Sequence, residues 1–312
     1  MKVLLAGATG ALGIPLTRRL LDAGHEVVGL TRTESGAQRL RGLGARGVLA
    51  DAMDADGLLR ALKGESADAV IHQLTALKKM PMRAKDMELT NRLRTEGTAN
   101  LLAAAREVGA RRFVVQSFFG GYGLGGDQRL ITEDDAFAPA GGGPVVDATW
   151  QAMASAERQT TAGTDGIEGV VLRYGGFYGP EALRTMAGML RKRQLPVPRG
   201  GGGFASLVYL DDAAAATVAA LERGRAQRVY NICDDEPVRW GVMMDQLATV
   251  FGTPRPMRLP APVLRLAAPY AAYLMTRQSL RLSNARAKEE LGWEPAFPTY
   301  REGVAAGAAG RG

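Results

Sequence analysis

The sequence predicts an α/β protein built on a parallel sheet with helices on both faces. Three observations support this fold class. Short apolar runs alternate with segments of helical periodicity along the first half of the chain. A glycine-rich stretch, Gly7–Gly13, separates the first apolar run from the first helical segment. Hydrophobic residues make up 46% and charged residues 23% of the 312-residue chain, which is ordinary for a globular fold and excludes a mostly disordered chain.

Strands and helices follow one another in a regular order before residue 180. Apolar runs predict strands at 2–6, 26–31, 69–74, 112–116 and 169–174. Apolar residues at helical spacing predict helices at 14–23, 91–108 and 149–161. Right-handed crossovers between parallel strands place the carboxyl ends of the strands along one ligand-binding edge. We therefore predict a Rossmann-type, doubly wound parallel sheet over residues 1–180.

The pattern is looser after residue 180. Helical spacing predicts helices at 184–193, 211–223, 238–251 and 285–291, and a Pro/Gly-rich loop covers 196–203. We interpret residues 181–302 mostly as a small C-terminal substrate-binding lobe that is interleaved with the core. Residues 303–312 are expected to form a frayed tail.

Composition excludes several classes of protein. One cysteine cannot form an internal disulfide, and two histidines with one cysteine cannot build the usual His/Cys zinc cluster. These counts do not exclude Mg²⁺ bound by carboxylates, but we predict no metal site. The chain shows no leader peptide, and three prolines and Arg265 interrupt its apolar segment Leu259–Thr276. We therefore expect a cytoplasmic protein with no membrane partner. The net charge of +7 comes from scattered arginines, which disfavours a nucleic-acid partner and suits phosphorylated small molecules.

The glycine-rich stretch has the spacing expected of a loop that binds pyrophosphate. Gly7, Gly10 and Gly13 allow a sharp turn and a close approach of the backbone, and the helix that follows offers free N–H groups. The candidate cofactor contacts in this loop are Gly7, Thr9, Gly10, Ala11, Leu12 and Gly13. The alternative is a tight turn that only packs the helix against the strand.

The end of the second strand indicates which dinucleotide is bound. Preference for NAD usually requires an acid here, but the strand runs into Thr31-Arg32-Thr33. Arg32 can make charge-assisted hydrogen bonds to a 2′-phosphate, so we predict NADP(H) as the cofactor. The alternative is that Arg32 is a solvated loop arginine.

Later segments carry a family resemblance along nearly the whole chain. They are Asp51–Asp54, Ile71–Ala76, Asn91–Leu102, Leu172–Pro180, Val208–Ala213, Tyr230–Ile232 and Glu289–Pro295. Together they resemble the NAD-dependent epimerase/dehydratase family, the extended or atypical short-chain dehydrogenases/reductases. The resemblance implies further cofactor contacts at Asp51, Ala52, Leu74, Thr75, Asn91, Ser117, Met153 and Tyr174. Asn91 has the alternative of supporting only the fold, and a homodimer paired through helices fits this family.

The catalytic signature departs from the family pattern. The family uses a Tyr-x-x-x-Lys pair, in which the tyrosine exchanges a proton with the substrate and the lysine lowers its pKa. No tyrosine in this chain is followed by lysine at that spacing. Alignment on Glu157 puts Thr149 at the tyrosine position and Met153 at the lysine position. The remaining candidates to orient or protonate a substrate oxygen are Ser117, Tyr122 and Thr149, besides water.

Aromatic residues and methionines in these segments suggest an apolar substrate. The candidate substrate contacts are Phe118, Phe119, Trp150, Phe177, Tyr178 and Met186. The alternative for each is a place in the ordinary core. The glycine-rich loop over 120–143 is predicted to be a mobile flap over the substrate, with a surface insertion as the alternative.

Three functional hypotheses follow. The leading one is an NADPH-dependent ketoreductase that transfers hydride to the carbonyl of a fairly apolar, aromatic or polyketide-like small molecule without the Tyr/Lys pair. The second is a non-catalytic NADP(H)-binding sensor. The third is a sugar-nucleotide epimerase or dehydratase, which the family resemblance supports and which Thr149 and Met153 oppose.

Overall fold

A seven-stranded parallel sheet forms the centre of the protein. The computed structural model describes residues 1–77, 80–126, 129–139, 141–163 and 166–310. The sheet strands are β1 (Lys2–Ala6), β2 (Glu26–Thr31), β3 (Arg46–Leu49), β4 (Ala69–His72), β5 (Arg112–Phe118), β6 (Glu168–Tyr174) and β7 (Arg228–Ile232). Their spatial order is β7-β6-β5-β4-β1-β2-β3, with every neighbouring pair parallel. The predicted doubly wound α/β fold is therefore confirmed.

Helices connect the strands and build the lobe. Those of the first half are α1 (Gly13–Asp22), α2 (Glu34–Gly42), α3 (Ala55–Ala61), α4 (Glu88–Arg92), α5 (Thr98–Glu107) and α6 (Asp147–Thr161). Those of the second half are α7 (Pro180–Arg191), α8 (Leu210–Arg223), α9 (Trp240–Val250), α10 (Ala261–Ala267), α11 (Pro269–Arg277), α12 (Ala285–Leu291) and α13 (Tyr300–Ala308). No helix in these described ranges has both the length and the apolar character needed to cross a membrane.

The strand order reverses next to β1, which is the place where open α/β sheets bind their ligands. The chain leaves β1 toward β2 and β3, and then returns to pair β4 with the other side of β1. Ala6, the last residue of β1, is in register with Leu30 on β2 and with His72 on β4. Connections that diverge from neighbouring strand ends leave a crevice at their carboxyl edge.

The long helix predicted over 91–108 is interrupted. A π-helical turn, Leu93–Gly97, separates α4 from α5. Wide turns of this kind occur often at functional sites, because they redirect a side chain out of the regular helical register. Here the turn lies against α6, where Gln159 donates to the Thr95 carbonyl oxygen at 3.1 Å, and against His72 at the end of β4.

The C-terminal lobe has its own apolar core. Tyr178, Leu183, Tyr209, Met243 and Val304 are among its buried residues. Strand β7 and helices α8 and α12, by contrast, belong with the central sheet, so the second half of the chain contributes to both parts.

The expected frayed tail is wrong for residues 303–308, which form most of α13. Val304 is fully buried, and Gly303 and Gly307 allow close contact with Tyr178 and Leu183. This packing supplies the stabilisation that the terminal position alone would not. Residues 311–312 lie outside the described part of the chain.

Candidate functional site

The glycine-rich loop folds tightly over the carboxyl ends of β1 and β4. Gly7 has a φ of +91°, and a Cβ there would lie 2.6 Å from the carbonyl oxygen of Gln73. A Cβ on Gly13 would lie 2.0 Å from the carbonyl oxygen of Gly7. The Gly10 N–H donates to that same oxygen at 3.0 Å. The loop therefore requires glycine at both of its ends.

The amino terminus of α1 is open toward this loop. Its N-cap residue, Leu12, supplies no capping side chain, and its first turn contains no acid. Gly10 and Ala11 are exposed, and Thr9 is half-buried. Uncapped N–H groups and the helix dipole suit a pyrophosphate, so these residues fit a bound dinucleotide.

The predicted adenosine contacts lie at the ends of the neighbouring strands β2 and β3. Arg32 is exposed and makes no ion pair with any described residue. Asp51 accepts a hydrogen bond from the Met53 N–H at 2.9 Å, and the carbonyl oxygen of Ala52 accepts one from Asn100 at 2.8 Å. The backbone around Asp51 is thus fixed, while the guanidinium of Arg32 has no competing partner. Their cofactor contacts remain predictions.

The end of β4 is fixed by a neutral histidine. His72 is buried, its Nε2 lies 3.3 Å from the carbonyl oxygen of Leu93, and its Nδ1 accepts from the Leu74 N–H at 3.2 Å. Burial lowers the pKa of His72 to about 4. A neutral ring protonated at Nε2 satisfies both contacts. His72 therefore ties the β4 end, with Leu74, to the π-helical turn.

Tyr174, at the end of β6, and Thr75, shortly after β4, each use their hydroxyl group for contacts within the protein. The Tyr174 hydroxyl is fully buried, 3.0 Å from Gln73 Nε2 and 2.7 Å from Thr217 Oγ1. Thr75 Oγ1 lies 3.4 Å from Thr90 Oγ1 and accepts from the Leu77 N–H. Both hydroxyls hold the strand ends that face the crevice.

Ser117 and Tyr122 belong to a closed polar cluster that we call the Arg173 network. Its members are Ser117, Tyr122, Glu157, Arg173 and Asn231. Ser117 donates to Glu157 at 2.5 Å, and Arg173 pairs with Glu157 at 2.7 Å. Arg173 also donates to the Tyr122 hydroxyl, which in turn donates to Asn231 Oδ1, both at 2.7 Å. Burial raises the pKa of Tyr122, so both candidate hydroxyls are engaged in the core.

Thr149 belongs to a different cluster, which we call the Arg94 group. Its members are Asn91, Arg94, Thr149 and Tyr270. Asn91 Nδ2 donates to Thr149 Oγ1 at 3.2 Å, and Tyr270 packs in one buried cluster with Trp150, the residue that follows Thr149. Burial raises the pKa of Tyr270, and Thr149 and Arg94 each lower it in part. All members except the half-buried Asn91 are buried.

The Arg94 group is incompletely satisfied. Arg94 Nη1 and Asn91 Oδ1 are buried, and neither has a hydrogen-bond partner in the described part of the chain. Burial lowers the pKa of Arg94 to about 10, and the residue remains a cation at neutral pH. Asn91 and Thr149 were predicted from the sequence as site residues, whereas Arg94 and Tyr270 were not. The available signal for Tyr270 was its place after Pro269, a residue suited to the first turn of a helix.

The predicted substrate contacts divide among separate clusters. Trp150 packs with Tyr270, Met87 and Val146, next to the Arg94 group. Phe118 and Phe119 pack with Tyr122 in a separate apolar cluster. Phe177 packs on Tyr174, whereas Tyr178 and Met186 belong to the core of the lobe. Met153 is buried on α6.

The loop over 120–143 is tied down in its described part. The Ala138 N–H donates to the Gly121 carbonyl, and the Ile131 N–H donates to that of Arg281, both at 2.7 Å. Glu133 accepts from the Asn231 N–H at 2.7 Å. These bonds oppose the hypothesis of a mobile flap. Residues 127, 128 and 140 of this loop lie outside the described residues.

Two full-length curated relatives are similar in sequence. A 3-diazoavenalumate denitrifying reductase from Streptomyces sp is 39% identical, and the match covers 97% of this chain and 99% of the relative. A 4-hydroxy-2-methyl-3-oxo-4-farnesyl-3,4-dihydroquinoline-1-oxide ketoreductase from Stigmatella aurantiaca is 25% identical, covering 100% and 98%.

Solved structures share the fold over nearly the whole chain. UDP-glucose 4-epimerase from Thermotoga maritima, solved with UDP-glucose, has a TM-score of 0.80 at 21% identity and covers 99% of this chain and 98% of its own. The Thermus thermophilus UDP-glucose 4-epimerase in complex with NAD has a TM-score of 0.78 at 25% identity, with coverage of 99% and 98%. The profile of the NAD-dependent epimerase/dehydratase family matches residues 3–233. The chain therefore belongs to the NAD-dependent epimerase/dehydratase family.

Proposed function

We propose that the protein is an NADPH-dependent reductase that acts on the carbonyl group of a small, largely apolar molecule. Bound NADPH would supply the hydride. The observation that carries the proposal is that Thr149, at the family's tyrosine position, accepts a hydrogen bond from Asn91 and directly precedes Trp150, which packs in one buried cluster with Tyr270. The site thus combines an apolar wall with hydroxyl groups beside the expected cofactor.

The choice of NADPH rests on Arg32. Its exposed guanidinium has no partner among the described residues and follows the strand whose end meets the adenosine ribose in dinucleotide-binding folds. A planar guanidinium suits a 2′-phosphate because it can donate two hydrogen bonds in parallel.

The sugar-nucleotide hypothesis is weaker. Interconversion of a sugar alcohol and its ketone needs a base that accepts a proton in one direction and returns it in the other. Thr149 is too weak an acid to serve this purpose near neutral pH, and Met153 cannot ionise. The names of both full-length relatives contain a reductase activity, which supports reduction instead.

Reductive loss of a diazo group is the second candidate. It is favoured by the 39% identity to a denitrifying reductase. When an aryl diazonium gains a hydride, a C–H bond replaces the C–N bond and dinitrogen leaves with the C–N electron pair. This step consumes no proton, so it tolerates the loss of the Tyr/Lys pair.

The test is a cofactor titration followed by an assay for each acceptor. The purified protein is titrated with NADPH and with NADH, and nicotinamide fluorescence is followed. NADPH oxidation is then measured with phenanthrenequinone and with an arenediazonium salt, and UDP-glucose is tested for binding. Tighter NADPH binding and turnover of phenanthrenequinone support the proposal, whereas turnover of the diazonium salt alone selects the second candidate. Binding of neither dinucleotide, or of UDP-glucose with NADH, contradicts both.

A further inference from the structure

Two buried side chains, Arg94 and Tyr270, belong to the same group as Thr149, and the charge of Arg94 has no partner among the described residues. Arg94 is 7% exposed, comes from the π-helical turn, and leaves Nη1 without a hydrogen-bond partner. No carboxylate of the described residues pairs with its guanidinium. Burying a cation without a partner costs free energy, so Arg94 is a burden on folding unless it acts on something else.

Tyr270 reaches the same place from a different element. Helix α11 packs Tyr270 in one buried cluster with Trp150, which follows Thr149 on α6, and Thr149 lowers the pKa of Tyr270 against the larger effect of burial. Thr149 stands where the family resemblance places the catalytic tyrosine. A phenol is thus present at this point of the fold, but it is delivered by the C-terminal lobe.

Arg94 supplies the charge that α6 lacks. The uncharged Met153 stands at the family's lysine position, whereas the charge of Arg94 lowers the pKa of Tyr270, although burial raises it more. Asn91 holds Thr149 at 3.2 Å, and Trp150 packs against Tyr270. The phenol therefore has a fixed hydroxyl on one side, an apolar wall on another and a cation nearby.

We propose that Tyr270 is the proton donor to the substrate oxygen and that Arg94 is its charge partner, so that together they replace the missing Tyr/Lys pair. This inference rests on the carbonyl reduction proposed above. The carbonyl carbon gains a hydride, the C=O π electrons move to the oxygen, and the Tyr270 proton passes to that oxygen to give the alcohol. Arg94 stabilises the resulting phenolate until solvent returns a proton.

The direction of the reaction agrees with this arrangement. Burial raises the pKa of Tyr270, and Arg94 opposes this only in part. The phenol consequently stays protonated near neutral pH and is ready to give a proton rather than to take one. An acid of this kind serves reduction of a carbonyl better than oxidation of an alcohol.

The test compares Tyr270→Phe with a matched control, Tyr273→Phe. Tyr273 lies on the same helix and donates to the Gly142 carbonyl oxygen at 2.8 Å. With NADPH and phenanthrenequinone, Tyr270→Phe should lower kcat by about 10²–10⁴-fold, the usual contribution of a general acid. NADPH binding should not change. Tyr273→Phe should stay within about twofold of the wild type, and an unchanged kcat in Tyr270→Phe would overturn the assignment.

The role of Arg94 is tested by substitutions that remove or keep its charge and by a spectroscopic titration of Tyr270. Arg94→Met should lower kcat by about tenfold or more, and Arg94→Lys should recover part of it. In a pH titration of tyrosinate absorbance, the wild-type minus Tyr270→Phe difference reports ionisation of Tyr270. Arg94→Met should move this ionisation to higher pH, and an unmoved ionisation would overturn the pairing. If the wild type does not turn over phenanthrenequinone, the proposed function fails, and the titration alone decides whether the two side chains form a pair.

Discussion

The Arg173 network and the Arg94 group place a buried arginine in opposite situations. Arg173 is neutralised by Glu157 at 2.7 Å and also donates to Tyr122. Arg94 is equally buried, but it makes no ion pair with the described residues. Buried charges in proteins are normally paired, because the desolvation cost must be offset. A satisfied network is what a structural role of Arg173 requires, whereas the unpaired charge of Arg94 supports the role proposed for it beside Tyr270.

The two clusters also divide the polar residues predicted from sequence. Ser117 and Tyr122 carry hydroxyls that the Arg173 network already uses. Thr149 carries its hydroxyl in the Arg94 group, beside a phenol. Ser117, Tyr122 and Thr149 thus differ in whether their hydroxyl groups can still bond to a substrate.

Breaking the Arg173 network should have the largest effect on stability. Arg173→Met leaves Glu157 buried without its partner and should lower the free energy of unfolding by about 3–5 kcal/mol. Urea denaturation measures this change. Arg92→Met is the control, because its pair with Glu96 is exposed and its loss should change stability little. The double variant Arg173→Met/Glu157→Gln should recover part of the loss, and equal stability of Arg173→Met and Arg92→Met would contradict the distinction.

The pH dependence of stability should report His72, which borders the Arg94 group. The folded protein holds the pKa of His72 at about 4, below its ordinary value of 6.5, so only the unfolded chain takes up a proton between these pH values. The contribution of the neutral ring is complete above pH 6.5 and is lost as the pH falls toward 4, by up to about 3 kcal/mol.

The measurement is the unfolding free energy of the wild type and of His72→Asn from pH 7 to 4. The variant should be less stable at pH 7 because it loses the contact with Leu93, and the gap should narrow as the pH falls. A gap that stays constant would show that His72 is not held neutral.

Arg32 extends the comparison to an exposed arginine and should give the smallest effect. Arg32→Ala should weaken NADPH binding by about tenfold through loss of charge-assisted hydrogen bonds, and it should leave NADH binding unchanged. Dissociation constants from nicotinamide fluorescence measure both. Arg39→Ala is a suitable control, because Arg39 also follows β2 but lies within α2. Equal weakening of NADPH and NADH would remove the argument for the 2′-phosphate.

Sequence periodicity was sufficient for most of the sheet but not for the site. The first, second, fourth, fifth and sixth strands were predicted, because buried parallel strands are continuous apolar runs. Gly7 and Gly13 could be assigned because their steric requirement is local. Tyr270 could not, because its contact with Thr149 depends on how α11 packs, and no local pattern encodes that. The missing tyrosine at Thr149 did indicate that a substitute should be sought elsewhere.

The most direct test of the comparison is the stability of Arg94→Met beside that of Arg173→Met, measured by urea denaturation without cofactor. If the buried charge of Arg94 is retained for function, its removal eliminates a desolvation cost and breaks no pair. The unfolding free energy of Arg94→Met should then equal or exceed that of the wild type, while Arg173→Met loses about 3–5 kcal/mol. A loss in Arg94→Met as large as that in Arg173→Met would show that Arg94 is a structural residue and would contradict its role beside Tyr270.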